Sequence, residues 1–166
     1  MKWCTIHPHE HQGGETMEIK SPAFAMGAMI PRKYSCEGEN VSPPLMWKEV
    51  PERTESIALI ADDPDAPIGS WVHWVYYDIP PHVQGLGEGV PQVRNPPDGG
   101  VQGMNDSRNL GYDGPCPPSG THRYYFKVYA LDRKLGLPPG AGKGEVLDAM
   151  DGHVLGESVL MGWFAR

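Results

Sequence analysis

Glycine and proline punctuate this chain so densely that neither a long helix nor a long unbroken strand fits between them. They supply 21 and 18 of its 166 residues. Glycine weakens the interior of either element and proline removes a backbone donor, so segments between such breaks stay short. Yet 39% of the residues are hydrophobic, in brief clusters spread along the chain. Many strands joined by stiff turns account for both facts, whereas disorder does not. The expectation is a mainly all-β fold in one domain, because a chain of this length buries roughly two thirds of its unfolded surface around a single core.

The individual segments follow from that frame. Ser56 to Ala61 (SIALIA) is β-rich and runs into Asp62-Asp63-Pro64, while Trp71 to Ile79 (WVHWVYYDI) stops at Pro80-Pro81. His122 to Leu131 (HRYYFKVYAL) reads as a third strand. Residues 80–121 form a long irregular stretch, a length that inside a small domain marks function. Lys143 to Met150 predicts a helix, with Val146, Leu147 and Met150 at helical spacing and Gly152 closing it. Val154 to Phe164 predicts another strand, given Gly156 and Gly162 within its apolar pattern. Residues 1–16 read as a flexible, His-rich tail before a domain at 17–166; Cys4, His7, His9 and His11 are its alternative use as a metal chelator.

Charge narrows the function. Lys and Arg number 14 against 21 Asp and Glu, a formal net charge of -7, with no basic stripe to neutralise phosphates. Nucleic acid is therefore not an expected partner. No window approaches the roughly eighteen apolar residues of a membrane span, and the N-terminus lacks the apolar stretch of a secretory signal, so a cytoplasmic protein is expected. Cys4, Cys36 and Cys116 are an odd set without C-x-x-C spacing. Reduced thiols suit that pattern better than a disulfide framework, a Cys36–Cys116 bridge being the alternative.

Side chains alternate across a strand, which places Trp71, His73, Val75, Tyr77 and Ile79 on one face. The same rule groups His122, Tyr124, Phe126, Val128 and Ala130, and sends Arg123 and Lys127 to the other side. An antiparallel hairpin of the first two strands brings Asp63, Asp65, Trp71 and His73 to one sheet edge. His122 joins them if its strand runs parallel to Trp71–Ile79. Just before His122, the loop Gly111 to Gly120 is rich in glycine, for close backbone approach, and in proline, for stiffness. Its N–H groups at Gly114 and Cys116 are candidate anion donors beside two imidazoles. Asp63 repels an anion unless it aims a histidine or meets an ammonium group, so a zwitterionic ligand is favoured. The bland alternatives are satisfied structural histidines and an Asp-Pro turn.

Asp63-Pro64-Asp65-Ala66-Pro67, Trp71-Val72-His73-Trp74, and the Gly114–Gly120 loop followed by Thr121-His122-Arg123-Tyr124 closely resemble the two signature regions of the phosphatidylethanolamine-binding protein family. Ile30-Pro31-Arg32-Lys33-Tyr34, the stretch Cys36 to Leu45, and Met150 to Glu157 resemble its prokaryotic, Raf-kinase-inhibitor-like branch. The resemblance runs from about residue 18 to the end. It implies two antiparallel β-sheets in a sandwich-like arrangement with one or two short helices, and a cavity for phosphate, acetate or phosphoryl head groups. Carried over by motif, the ligand-binding residues are Asp63, Pro67, Trp71, His73, Gly114, Cys116, Pro117, His122 and Tyr124. The sequence stops soon after Phe164, without the C-terminal helix that lines the pocket in mammalian members, so their regulation is not carried over. The loop before His122 is also shorter than theirs.

The leading function is non-enzymatic binding of small phosphorylated or anionic ligands, with modulation of a kinase or protease as a further role. No cofactor, catalytic residue or metal site is expected. One alternative is a hydrolytic or metal-dependent enzyme, since two His and a carboxylate also suit a mononuclear metal and general acid–base work. Another is a protein-inhibitor scaffold for a kinase or serine protease. The prokaryotic resemblance implies a homodimer.

Overall fold

The apolar run that ends at Asp63 organises the architecture. All of Ser56–Asp63 is buried, as happens when both faces of a sheet are covered. In the computed structural model, which describes residues 16–166, this run is strand β3, preceded by β1 (Glu18–Lys20) and β2 (Leu45–Lys48). There follow β4 (Trp71–Ile79), β5 (Gly85–Leu86), β6 (Val101–Gln102), β7 (Thr121–Leu131), helix α1 (Lys143–Met150) and β8 (Val154–Ala165). A single 3-10 turn among the described residues spans Arg32–Tyr34. The strands form two sheets, β1-β2-β5 and β6-β4-β3-β7-β8, with every strand pair antiparallel. The expected two-sheet, mainly β fold is what the chain adopts. Of the expected tail at 1–16, residues 1–15, with Cys4, His7, His9 and His11, lie outside the described residues.

Two apolar clusters cover the larger sheet. Between the sheets, Ile19, Trp47 and Leu86 meet Trp74, Tyr76, Phe126 and Phe164. On the opposite face Ala58, Ile60, Val75 and Tyr77 pack with Val146 and Met150 of α1. Leu147, though at helical spacing with those two, is 38% exposed. No helix among the described residues is long and apolar enough to cross a membrane.

The alternation rule works on β7 and fails on β4. β7 pairs with β8 without a slip from Thr121 to Ala130, so Tyr124, Phe126, Val128 and Ala130 enter the inter-sheet core together. β4 slips twice against β3: Asp62 faces Val72 while Ala61 faces Trp74, and a second shift separates Ile57 from Leu59. His73 is the extra residue of the first bulge, and a bulge reverses the facing of everything after it. Val75 and Tyr77 therefore join the helix-side cluster, while Trp74, Tyr76 and Ile79 fill the inter-sheet core. The face predicted to hold Trp71, His73, Val75, Tyr77 and Ile79 is corrected accordingly.

β4 and β7 are each antiparallel to β3, so they run in the same direction with β3 between them. That is the condition for His122 to reach the edge where Asp63 and His73 lie. The long connection making this possible, residues 80–121, contains only the short strands β5 and β6 before β7 begins. Buried Gln102 secures it: its amide accepts from the Trp74 indole at 2.9 Å and donates to the Pro91 and Val93 carbonyls at 2.7 and 2.9 Å.

Cys36 and Cys116 form a disulfide across 80 residues of sequence, which corrects the expectation of reduced thiols for this pair. Gly114 is the local cause. A Cβ there would lie 2.0 Å from the Tyr34 carbonyl oxygen and 3.0 Å from the Ser35 Cα. Without one, the loop approaches residues 34–36 closely enough to bring the two cysteine Cα atoms to 5.4 Å.

Candidate functional site

Asp63 is the last residue of β3 and pairs in register with Trp71, the first of β4. From β7, His122 projects to the same edge, where its Nδ1 lies 2.6 Å from Asp63 Oδ2. The other Asp63 oxygen accepts the Asp65 N–H at 2.7 Å. Both carboxylate oxygens are thus engaged within the chain, at 3% residue exposure. Asp63 thus fixes the ring of His122, with Nδ1–H donating to it, and leaves Nε2 on the other side. Asp65 turns outward and takes a bidentate contact from Arg123 at 2.9 and 2.8 Å. The Arg123 guanidinium holds its carboxyl down at about 2, below the usual aspartate range.

His73 is fixed differently. Its Nδ1 lies 2.6 Å from the Asp113 carbonyl, and since a carbonyl only accepts, Nδ1 carries the hydrogen. Asp113 returns its own N–H to the His73 carbonyl at 2.9 Å. Burial pushes the His73 imidazole below its ordinary value, against the opposing pull of Asp113, Asp63 and Asp106. It therefore stands neutral at pH 7, with Nε2 an acceptor. Tyr124 packs edge-on to this ring, centroids 5.2 Å apart. Burial raises the Tyr124 phenol above its ordinary value, so it keeps its proton.

One cavity of about 500 Å³ joins these groups. Its lining includes Asp63, Pro67, Trp71, His73, Gly114, Cys116, Pro117, His122 and Tyr124, every position at which the sequence suggested a ligand contact. Ala66, Ile68, Ser107, Asp113 and Pro118 line it as well. Asp113 and Pro118 belong to the loop already singled out. Ser107 carries no local signal; it arrives from the long irregular connection, and its hydroxyl donates to Asp113.

Two roles differ from expectation. The Gly114 N–H donates to Asn40 Oδ1 at 2.8 Å, and Asn40 Nδ2 donates to Asp113 Oδ1 at 2.9 Å. Gly114 is thus a packing position clamped by Asn40 and supplies no donor to an anion nest. Cys116 contributes a disulfide sulfur to the wall. What remains open is compact in kind. Among the described residues no buried side-chain nitrogen or oxygen lacks a partner, and His73 Nε2, His122 Nε2 and the Tyr124 hydroxyl make no hydrogen bond within that set. Those three atoms therefore face the cavity. Among the described residues no three His, Cys, Asp or Glu side chains are grouped to hold a metal ion.

A two-sheet β protein with a His- and Asp-lined pocket at one sheet edge is the class that fold and site define. The chain belongs to the phosphatidylethanolamine-binding protein family, whose model matches residues 20–165. It is similar to a UPF0098 protein of Methanothermobacter thermautotrophicus, 57% identical over 90% of this chain and 99% of the relative. A UPF0098 protein of Aquifex aeolicus is 48% identical over 93% of this chain and 91% of its own length. Among solved structures, a phosphatidylethanolamine-binding protein homologue from Chlamydia trachomatis superposes with a TM-score of 0.84 at 43% identity, covering 92% of this chain and 99% of that one. YbcL of Escherichia coli, described as a member of the mammalian family, gives 0.83 at 31% identity over 90% and 98%.

Proposed function

We propose that this protein is a binding module, without catalytic chemistry of its own, for small phosphorylated or otherwise anionic ligands. The observation that carries this is the convergence of His73 Nε2, His122 Nε2 and the Tyr124 hydroxyl on one cavity, each histidine ring held from behind by a partner of its own. Fixed, otherwise unused polar atoms in a concave site are what orient a small ligand.

The chemistry of the lining also says in which form an anion enters. Among the described residues no Lys or Arg lines the cavity, and the fixed charges there are the carboxylates of Asp63 and Asp113. An anion is accepted by sharing a proton with an imidazole. Either the ligand carries that proton, as a singly ionised phosphate monoester does below its second pKa of about 6, or the imidazole takes it up. Both routes have the same sign: affinity falls as pH rises.

Titration calorimetry with inorganic phosphate and with phosphoethanolamine, between about pH 5 and pH 8, tests this. Affinity falling with pH is expected, together with a loss of roughly 10- to 100-fold in His122→Ala, the value of a hydrogen bond to a charged group. No heat at any pH, with His122→Ala indistinguishable from the parent, overturns the proposal.

A further inference from the structure

One wall of the cavity is tied covalently to a distant part of the chain. Cys116, Pro117 and Pro118 line the cavity, and Cys116 is bonded to Cys36, just past the 3-10 turn. Both cysteines are exposed. We propose that this disulfide is a redox gate on the pocket: a dithiol reductant opens it, and opening frees wall segment 115–119 so that the pocket loses its ligand. This inference rests on the ligand-binding function given above.

The two flanks of the segment are secured without the disulfide. On one side the Tyr112 hydroxyl donates to the Tyr34 carbonyl, Asp113 exchanges bonds with His73, and Asn40 clamps Asp113 and Gly114. On the other, Gly120 and Arg166 exchange backbone bonds at 3.0 Å before β7 continues into the sheet. Between these anchors, the hydrogen bonds among the described residues are few. Pro115 accepts from the Cys36 N–H at 3.0 Å, and the Cys116 sulfur receives an Arg166 Nη1 contact at 3.4 Å. The first joins the segment to Cys36 itself, and the second is a single contact from a half-exposed guanidinium. Reduction therefore loosens 115–119 while leaving β7 and the histidines in place.

The exchange balances as follows. A thiolate of the dithiol attacks one sulfur of the pair, forms a mixed disulfide and expels the other cysteine as thiolate. The second thiol of the reductant then displaces the first, so two electrons and two protons pass to Cys36 and Cys116 and the dithiol leaves as its own disulfide. Arg166 gives the attack a direction. Its guanidinium lies beside the Cys116 sulfur, with Glu37 at 3.2 Å from its Nε. A cation favours a thiolate, which makes Cys116 the leaving sulfur and Cys36 the one attacked.

The experiment compares the oxidised protein with protein treated with dithiothreitol, thiols counted in each. Inorganic phosphate is the calorimetric probe, and hydrogen exchange is followed at Cys36 and over residues 112–131. If the freed segment occupies its wall position about a tenth of the time, phosphate affinity falls about tenfold, and amide protection is lost at Cys36, whose N–H bonds the Pro115 carbonyl, but kept in 121–131. Cys36→Ser should behave as the reduced protein whatever the redox state. Arg166→Gln should slow reduction without changing the phosphate affinity of the oxidised form. Equal phosphate affinity in the two states, or unchanged exchange at the Cys36 amide once two thiols are titrated, overturns the gate. Absence of phosphate binding in both states defeats the binding function instead, and the exchange data still decide whether the segment is released.

Discussion

At the scale of single residues, Asp63 can serve the proposed anion pocket through His122 although its own charge opposes an anion. Asp63 spends both oxygens inside the chain, one on the His122 ring and one on the Asp65 N–H. Asp63→Ala removes both acceptors and leaves a buried ring nitrogen without a partner, a cost of about 1–3 kcal/mol. A urea titration should show that destabilisation, and calorimetry should show weakened phosphate binding, because a ring free to rotate no longer presents Nε2 to the cavity. Stability lost with binding intact would contradict the aiming role. The residue types were legible: Asp-Pro-Asp, Trp-Val-His and the loop before His122 drew attention to every group just discussed. Their partners were not. Asn40, whose amide clamps the loop, lies in the stretch Cys36 to Leu45 that carries part of the resemblance, but its role depends on a neighbour 73 residues away.

At the scale of elements, β7 could be read correctly from periodicity and β4 could not, for a reason specific to pairing. Alternation predicts facing only while register is kept, and the two slips of β4 against β3 have no signature in a run as uniformly apolar as Trp71–Ile79. The loop before His122 was recognised as stiff and able to approach another backbone. What it approaches, residues 34–36, is not legible, so the sequence offers the Cys36–Cys116 bridge only as the alternative to reduced thiols. Gly114 and Gly144 separate the two uses of glycine. A Cβ at Gly114 would meet the Tyr34 carbonyl oxygen at 2.0 Å and Asn40 Oδ1 at 2.5 Å, whereas at Gly144 in α1 it meets nothing within 4 Å. Gly114→Ala should destabilise by about 1–3 kcal/mol through overpacking against backbone that cannot yield. Gly144→Ala should stabilise by up to about 1 kcal/mol through helix propensity. Thermal melts of the two variants should move in opposite directions; a shift of the same sign in both would contradict this assignment.

At the scale of the whole molecule, acid stability joins the buried site to the net charge. The unfolded chain titrates His73 near its ordinary value of 6.5, while burial in the fold lowers it. Between those two values the unfolded state binds more protons than the folded one. The contribution of His73 is therefore complete above about pH 6.5 and is lost as pH falls towards its folded value. A second effect opposes this trend, since acidification also relieves the repulsion within a chain of formal charge -7. The raw pH profile mixes the two, but a difference between variants separates them. His73→Gln keeps a polar side chain beside the Asp113 carbonyl and cannot titrate, while the global charge at neutral pH is untouched. Urea midpoints measured from about pH 8 down to about pH 5 should fall more steeply for the parent than for His73→Gln once pH drops below about 6.5, and the two profiles should run parallel above it. Asp65, held down at about 2 by Arg123, loses its contribution only in a lower window, between its ordinary 3.8 and that value, so it does not enter the comparison. Parallel profiles across the whole range would mean that the folded protein accepts a proton on His73 as readily as the unfolded chain does. The ring would then be charged in mildly acidic solution without cost, and could itself supply the proton that a bound phosphate shares.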